Sequence, residues 1–178
     1  KAALICFTAR GEVTMQAAAK ALQKKGWETT SYVKRKAASH QKKISCEEEK
    51  YEIGSDTEEG TVTEANRENS TEKYVQETEE NILEKTEVML CTESLQQWCR
   101  NMFSTCELLV FVGATGIAVR GIAPFVKDKR TDPAVLTMDE SAAYVIPLLS
   151  GHIGGANELA EWLAKDLQAT AVITTATD

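Results

Sequence analysis

Three short apolar runs, Ala2–Thr8, Leu108–Val112 and Tyr144–Leu149, each empty into a turn that leads to a helical pattern, and this alternation most restricts the fold. In the opening third, Ala2–Thr8 reads as a buried strand. Arg10-Gly11 then leads into a helix with Val13, Ala17 and Ala21 as its apolar face, flanked by Met15, Ala18 and Leu22. Gly26 supplies the stop signal, and the β-branched and aromatic run Thr29–Val33 completes a strand-helix-strand unit, the building block of parallel sheets. A helix is predicted over Glu93–Phe103, with Leu95, Trp98, Cys99 and Met102 on one side and Trp98 in the core. Ala134–Met138 and Ala143–Leu148 read as strands separated only by Asp139–Ala142, too short for a parallel crossover, so they form an antiparallel hairpin. A last helix begins near Ala156 with Leu159, Leu163 and Leu167 in register beside Ala160, Ala164 and Trp162; Ala171–Thr174 is the closing strand. The expected fold is a single α/β domain over residues 1–178, three-layered and Rossmann/flavodoxin-like. Its sheet is mainly parallel, with an antiparallel hairpin over 134–148.

Charge is divided unevenly along this pattern. The chain carries −7 overall, yet Glu47–Glu87 holds 15 acidic and 4 basic residues, or −11. The remaining 16 basic and 12 acidic residues leave the other segments at +4. A segment from about 34 to 86 with few large apolar residues and no sustained period cannot bury enough surface to offset its ordering entropy, so it reads as a charged, disordered insertion. The mildly basic remainder suits an anionic small molecule but is not basic enough to suggest nucleic acid. No apolar stretch is long enough to cross a membrane and the first residues are too short for a secretory signal, so a cytoplasmic location is expected. Cys6, Cys46, Cys91, Cys99 and Cys106 are odd in number and contain no Cys-x-x-Cys pair, which argues against a disulfide framework and a structural zinc site.

The chemistry is expected in the turn Ser150-Gly151-His152-Ile153-Gly154-Gly155-Ala156-Asn157-Glu158. Gly151, Gly154 and Gly155 let a ligand approach the backbone closely, and the following helix offers N–H groups to a carboxylate, a phosphate or a developing oxyanion. His152, Asn157 and Glu158 add an imidazole, an amide and a carboxylate; the plain alternative is that the glycines only permit a tight turn. Neither the Gly-x-Gly-x-x-Gly fingerprint nor a Gly-Lys-Ser/Thr phosphate loop is present, which disfavours a nicotinamide or nucleoside triphosphate site. A second glycine-bearing turn, Gly113–Arg120, follows Leu108–Val112. Because ligands of open α/β sheets sit outside the carboxyl ends of the strands, both turns are expected on one edge, framing a cleft.

Three segments together, Gly113–Pro124 (GATGIAVRGIAP), Lys127–Val135 (KDKRTDPAV) and Leu148–Ala160 (LLSGHIGGANELA), resemble the cobalt-precorrin 5A hydrolase family, cobalamin biosynthesis protein CbiG. The resemblance is strong from about Leu108 to Asp178, weaker over the first strand-helix-strand unit and absent from the glutamate-rich insertion. Thr174–Asp178 resembles the end of the family's N-terminal region, so the family's C-terminal domain is expected to be a partner absent from this chain. The resemblance implies a step of anaerobic cobalamin biosynthesis, in which water opens a δ-lactone on a cobalt-bound corrinoid and a two-carbon fragment leaves as acetaldehyde. No cofactor or protein-bound metal is implied, since cobalt arrives with the substrate.

On that implication His152 or Glu158 is the base, and the N–H groups of Gly154 and Gly155 receive the oxyanion. Gly113, Gly116, Ser150, Gly151 and Asn157 line the ligand, while Arg120, Lys129 and Arg130 pair with acetate or propionate arms. Thr115 and Asp132 are substrate-positioning candidates; alternatively, Thr115 only satisfies its turn and Asp132 only initiates the loop at Pro133. Two competitors remain: a non-catalytic corrinoid-binding or domain-bracing module, and a flavodoxin-like module binding a phosphate-bearing cofactor. The expected partners are the corrinoid and possibly a second copy as a homodimer, with no nucleic acid and no membrane.

Overall fold

The computed structural model describes residues 1–35 and 87–174. The proposed insertion falls almost wholly outside the described residues, as do Cys46 and the last four residues, 175–178. Seven strands, β1 (Ala2–Cys6), β2 (Thr29–Val33), β3 (Val88–Leu90), β4 (Leu108–Val112), β5 (Ala134–Met138), β6 (Tyr144–Leu149) and β7 (Thr170–Ala171), form one sheet in the order β3-β2-β1-β4-β5-β6-β7. The helices are α1 (Ala9–Lys24), α2 (Leu95–Thr105), α3 (Thr115–Ile122) and α4 (Ala156–Asp166).

The alternation of the strands sorts them into two cores. Leu4, Cys6, Val110, Val112, Leu136 and Met138 pack with α1 and α4 on one face. Ala3, Ile5, Leu109, Phe111 and Val135 face α2 and α3 on the other. Because both faces are covered, β1, β4 and β5 are buried along their whole length, which is why they read as continuous apolar runs. The expected three-layer α/β fold is present. Its five parallel strands follow the doubly wound 3-2-1-4-5 order rather than the flavodoxin order.

Local chemistry sets the element ends. Thr8 caps α1 by accepting the Gly11 N–H at 3.0 Å, and Ser94 caps α2 by accepting that of Gln97 at 3.1 Å. α1 stops in a Schellman motif: Gly26 has φ +91°, its N–H bonds the Gln23 carbonyl, and the Trp27 N–H bonds that of Leu22. The buried stripe of α1 runs through Met15, Ala18 and Leu22, with Ala17, Ala19 and Ala21 beside it. Val13, expected at the centre of the apolar face, is only half-buried, because the stripe is turned toward α4 as well as the sheet. Strand β3 was not anticipated. Met89 and Leu90 on this edge are 48% and 61% exposed, so it lacks the apolar density that marks the inner strands. Lys34, assigned to the insertion, continues β2 by donating its N–H to the Cys6 carbonyl.

The hairpin is antiparallel, as expected for 134–148; its loop, residues 139–143, is five residues long, still too short for a parallel crossover. β6 therefore runs opposite to β1–β5, and β7 runs with β6. A register shift lies between Val135 and Leu136, opposite Pro147, which has no N–H to give a ladder. No helix among the described residues is long and apolar enough to cross a membrane.

Candidate functional site

The direction of β6 decides where the candidate residues lie. Val112, which leads into the Gly113 turn, pairs with Met138, and Met138 pairs with Val145 at the start of β6. Leu149, which leads into the Ser150 turn, pairs with Val135 at the start of β5. The two turns are thus on opposite edges of the sheet, and the expected shared cleft does not exist. An antiparallel strand carries its carboxyl end to the amino edge of its parallel neighbours. Gly113, Thr115 and Gly116 stand at the carboxyl edge. Ser150 to Glu158 stand at the amino edge, together with the loop Lys127–Pro133 that feeds β5. Arg120 lies in the last turn of α3, exposed, with its guanidinium donating to the Gly116 carbonyl at 3.4 Å.

At the amino edge a pocket of about 330 Å³ is lined by Pro147, Leu148, Leu149, Ser150, Gly151, His152, Asn157 and Thr174. Its origin is in the pairing. β7 pairs only with Tyr144 and Val145, so the second half of β6 has an open side facing the chain that leaves β7. Pro147 and Thr174 were not among the expected residues; a proline inside a strand is the sequence signal for a strand segment open on one side, as this half of β6 is on the side away from β5.

Within the turn, close contacts explain two of its glycines. A Cβ on Gly154 would stand 2.5 Å from the Ser150 Cβ and 2.8 Å from the Ser150 carbonyl oxygen; one on Gly151 would meet the Asn157 Oδ1 at 2.6 Å. Gly155 caps α4 at φ +74°, in the left-handed region that favours glycine. Ser150 adopts φ +56° without being glycine.

The helix N-terminus is less open to an anion than the sequence implied. Ala156 donates its N–H to the Ser150 carbonyl at 3.2 Å, Asn157 donates to Gly151 at 2.9 Å, and Gly155 donates to His152 at 3.4 Å. Of the two expected oxyanion donors, Gly155 is engaged within its own turn, whereas the Gly154 N–H bonds no acceptor among the described residues. His152 lines the pocket and is exposed, and its imidazole makes no hydrogen bond or ion pair with the described residues. Glu158 is exposed and outside the pocket lining.

Asp132 has a different setting. It is 9% exposed, and its Oδ2 accepts the N–H groups of Lys127 at 2.7 Å and Asp128 at 3.0 Å. Its Oδ2 closes its own loop, the arrangement that the loop-forming alternative expects. Its carbonyl in turn accepts the Ser150 hydroxyl at 2.9 Å, a buried bond that ties the loop to the pocket. Lys129 and Arg130 project from that loop, exposed. The Arg130 guanidinium reaches Asp128 at 3.3 Å, and its hydrogen bonds hold the Asp128 carboxyl below its usual range. Elsewhere, Cys6 and Cys99 are buried and desolvation pushes both thiols up to about 12. Among the described residues, no cluster of His, Cys, Asp or Glu is arranged to hold a metal ion.

Residues 97–178 match the family model described as cobalamin synthesis G N-terminal. The chain is 60% identical over 79 residues to a cobalt-precorrin-5A hydrolase of Salmonella typhimurium, covering 44% of this chain and 22% of that protein. It is 40% identical over 105 residues to the Priestia megaterium cobalt-precorrin-5A hydrolase, covering 59% and 28%. The chain thus spans roughly a quarter of the length of these relatives. A solved structure of a cobalamin biosynthesis protein G homolog from Sulfolobus solfataricus shares the fold, with a TM-score of 0.54 and 20% identity over 97% of this chain and 36% of that one. Every candidate residue lies inside the matched segment.

Proposed function

We propose, from the match of residues 97–178 to the cobalamin synthesis G N-terminal family model, that the chain forms the N-terminal, corrinoid-receiving part of a cobalt-precorrin-5A hydrolase. The observation that carries this reading is the amino-edge pocket, which brings His152, Ser150, Gly151 and Asn157 together beside the cationic loop holding Lys129 and Arg130. A volume of about 330 Å³ suits one edge of a macrocycle and not the whole ring. The lactone-bearing edge enters the pocket, and carboxylate arms extend over the loop.

In this reading the His152 imidazole takes a proton from water as the water oxygen attacks the lactone carbonyl carbon. The Gly154 N–H, which has no acceptor among the described residues, donates to the resulting oxyanion. Collapse breaks the ring C–O bond, the leaving alkoxide recovers the proton from His152, and a carboxylate remains. The freed alcohol then loses its proton as its carbon–carbon bond to the macrocycle breaks. Acetaldehyde leaves, and the ring carbon keeps the electron pair until it is protonated. Glu158, outside the pocket, is the weaker base candidate.

One observation favours a second reading. Among the described residues the His152 imidazole has no carboxylate or carbonyl partner to orient it, whereas catalytic imidazoles are commonly held by such a group. A module that binds the corrinoid without turning it over fits that feature.

Acetaldehyde release from cobalt-precorrin 5A separates the two, measured with this chain alone and with a chimera carrying the rest of the Salmonella typhimurium relative. Turnover that His152→Ala abolishes in the chimera supports the base assignment. Full turnover by that variant sinks it. A visible-absorbance titration showing corrinoid binding by this chain with no acetaldehyde from it identifies the binding module.

A further inference from the structure

We infer that Ser150 is a positioning residue, whose hydroxyl fixes the cationic loop Lys127–Asp132 in register with the pocket so that the site selects ligands bearing several carboxylates. The inference rests on the corrinoid reading above and assigns the source of its charge selectivity. Three observations support it. Ser150 is 7% exposed and holds φ +56°, a conformation that is unfavourable for a non-glycine residue and persists only where the surroundings enforce it. Its carbonyl accepts the Ala156 N–H at the start of α4, so the residue also sets the floor of the pocket. Its hydroxyl donates across 18 residues of sequence to the Asp132 carbonyl, whose own carboxylate gathers the Lys127 and Asp128 N–H groups.

The chain of bonds is continuous from α4 through Ser150 and Asp132 to the loop. β5 and β6 are neighbours about 4.8 Å apart, so the loop entering β5 and the turn leaving β6 adjoin on one edge. Lys127, Lys129 and Arg130 are exposed there, and Arg130 is aimed by Asp128. Without the Ser150 hydroxyl the pocket and the cations would each persist, but their separation would no longer be fixed. An arm-bearing ligand would then gain little from both at once.

The test compares two probes with the same cobalt macrocycle: dicyanocobyrinic acid, whose arms are free carboxylates, and dicyanocobinamide, whose arms are amides. Wild-type chain should prefer the acid. Ser150→Gly keeps the turn's left-handed conformation accessible while removing the hydroxyl, and should weaken the acid about tenfold more than it weakens cobinamide, the order of one hydrogen bond to a charged group. The pair Lys129→Ala and Arg130→Ala should do the same. Preference for the acid retained by Ser150→Gly, or equal weakening of both probes, would overturn the inference. If wild type binds neither probe, the corrinoid reading falls and amide hydrogen exchange decides the link. Faster exchange at Lys127 and Asp128 in Ser150→Gly supports it, and unchanged exchange overturns it.

Discussion

Gly154→Ala and Gly155→Ala change adjacent residues by the same methyl group, yet the structure assigns their costs to different physics. Gly154 has no positive φ, so an added Cβ meets only a steric objection, 2.5 Å from the Ser150 Cβ and 2.8 Å from the Ser150 oxygen. Ordinary contact begins near 3.4 Å, so the turn must move by most of an ångström against backbone it cannot bypass. Overpacking of this kind costs about 1–3 kcal/mol. The same movement lengthens the 3.2 Å bond from the Ala156 N–H to the Ser150 carbonyl, worth about 1 kcal/mol more. Gly155 has nothing within 4 Å of its added Cβ but sits at φ +74°, so its cost is the left-handed term alone, about 1–2 kcal/mol. Urea denaturation should therefore place Gly154→Ala about 2–4 kcal/mol below wild type, with Gly155→Ala closer to wild type. The decisive arm is the double variant Ser150→Gly/Gly154→Ala, which removes the 2.5 Å clash but leaves the 2.8 Å one. It should recover part of the loss, giving a coupling energy of about 1 kcal/mol. Additive single effects, or a Gly154→Ala cost below about 0.5 kcal/mol, would refute the packing account of this turn.

Asp132→Ala strands two loop N–H groups that now share one carboxylate oxygen, and should lower stability by about 2 kcal/mol, with Asp132→Asn restoring part of it because an amide oxygen still accepts one bond. Trp98→Ala should cost about 3–5 kcal/mol, since Trp98 is fully buried between Tyr32 and Phe111 at centroid distances of 5.6 and 5.7 Å; Trp98→Phe should cost far less, because the indole N–H it removes has no acceptor among the described residues. Desolvation raises Cys6 and Cys99 from 9.0 to about 12, so the folded state holds those protons more tightly than the unfolded chain. Their contribution to stability is complete below pH 9 and is lost as pH rises from 9 toward 12, which denaturation midpoints across that window would register. In native protein at pH 8 neither thiol should react with a thiol-labelling reagent on the timescale at which the unfolded chain reacts.

Several features of the fold were legible because local chemistry determines them. Continuous apolar runs identified β1, β4 and β5, Gly26 ended α1 through its positive φ, and the short connection between β5 and β6 left no option but an antiparallel pairing. β3 was not legible, since a three-residue, half-exposed edge strand has too few buried residues to leave a pattern. The roles of Asp132 and Ser150 were hidden for another reason. The Ser150 bond to Asp132 joins residues 18 apart and depends on strand register, which no window of sequence displays. Asp132 before Pro133 therefore looked equally like a loop starter and a ligand contact, and its two accepted N–H bonds are those that the first reading expects.

The edge reversal has a consequence for mechanism. Ligands of open α/β sheets gather at the carboxyl ends of parallel strands, and the switch point of this sheet lies between β1 and β4, where the Gly113 turn stands. The pocket described above is instead at the opposite edge, where a strand end, that of β6, coincides with an open flank and a glycine turn. The antiparallel β6 thus acts as a local carboxyl end on the amino edge: β6, the turn and α4 reproduce a strand-turn-helix site, inverted relative to the main sheet. The Gly113 turn then needs a separate explanation, and Gly113 at φ +147°, with its would-be Cβ 3.2 Å from the Phe7 ring, supplies one in chain packing between β1 and β4. Gly113→Ala should accordingly lower stability while leaving corrinoid affinity per folded molecule intact, whereas Gly151→Ala, which displaces Asn157 in the pocket wall, should weaken affinity more than stability. The reverse pattern would place the ligand at the switch point and make the amino-edge pocket incidental.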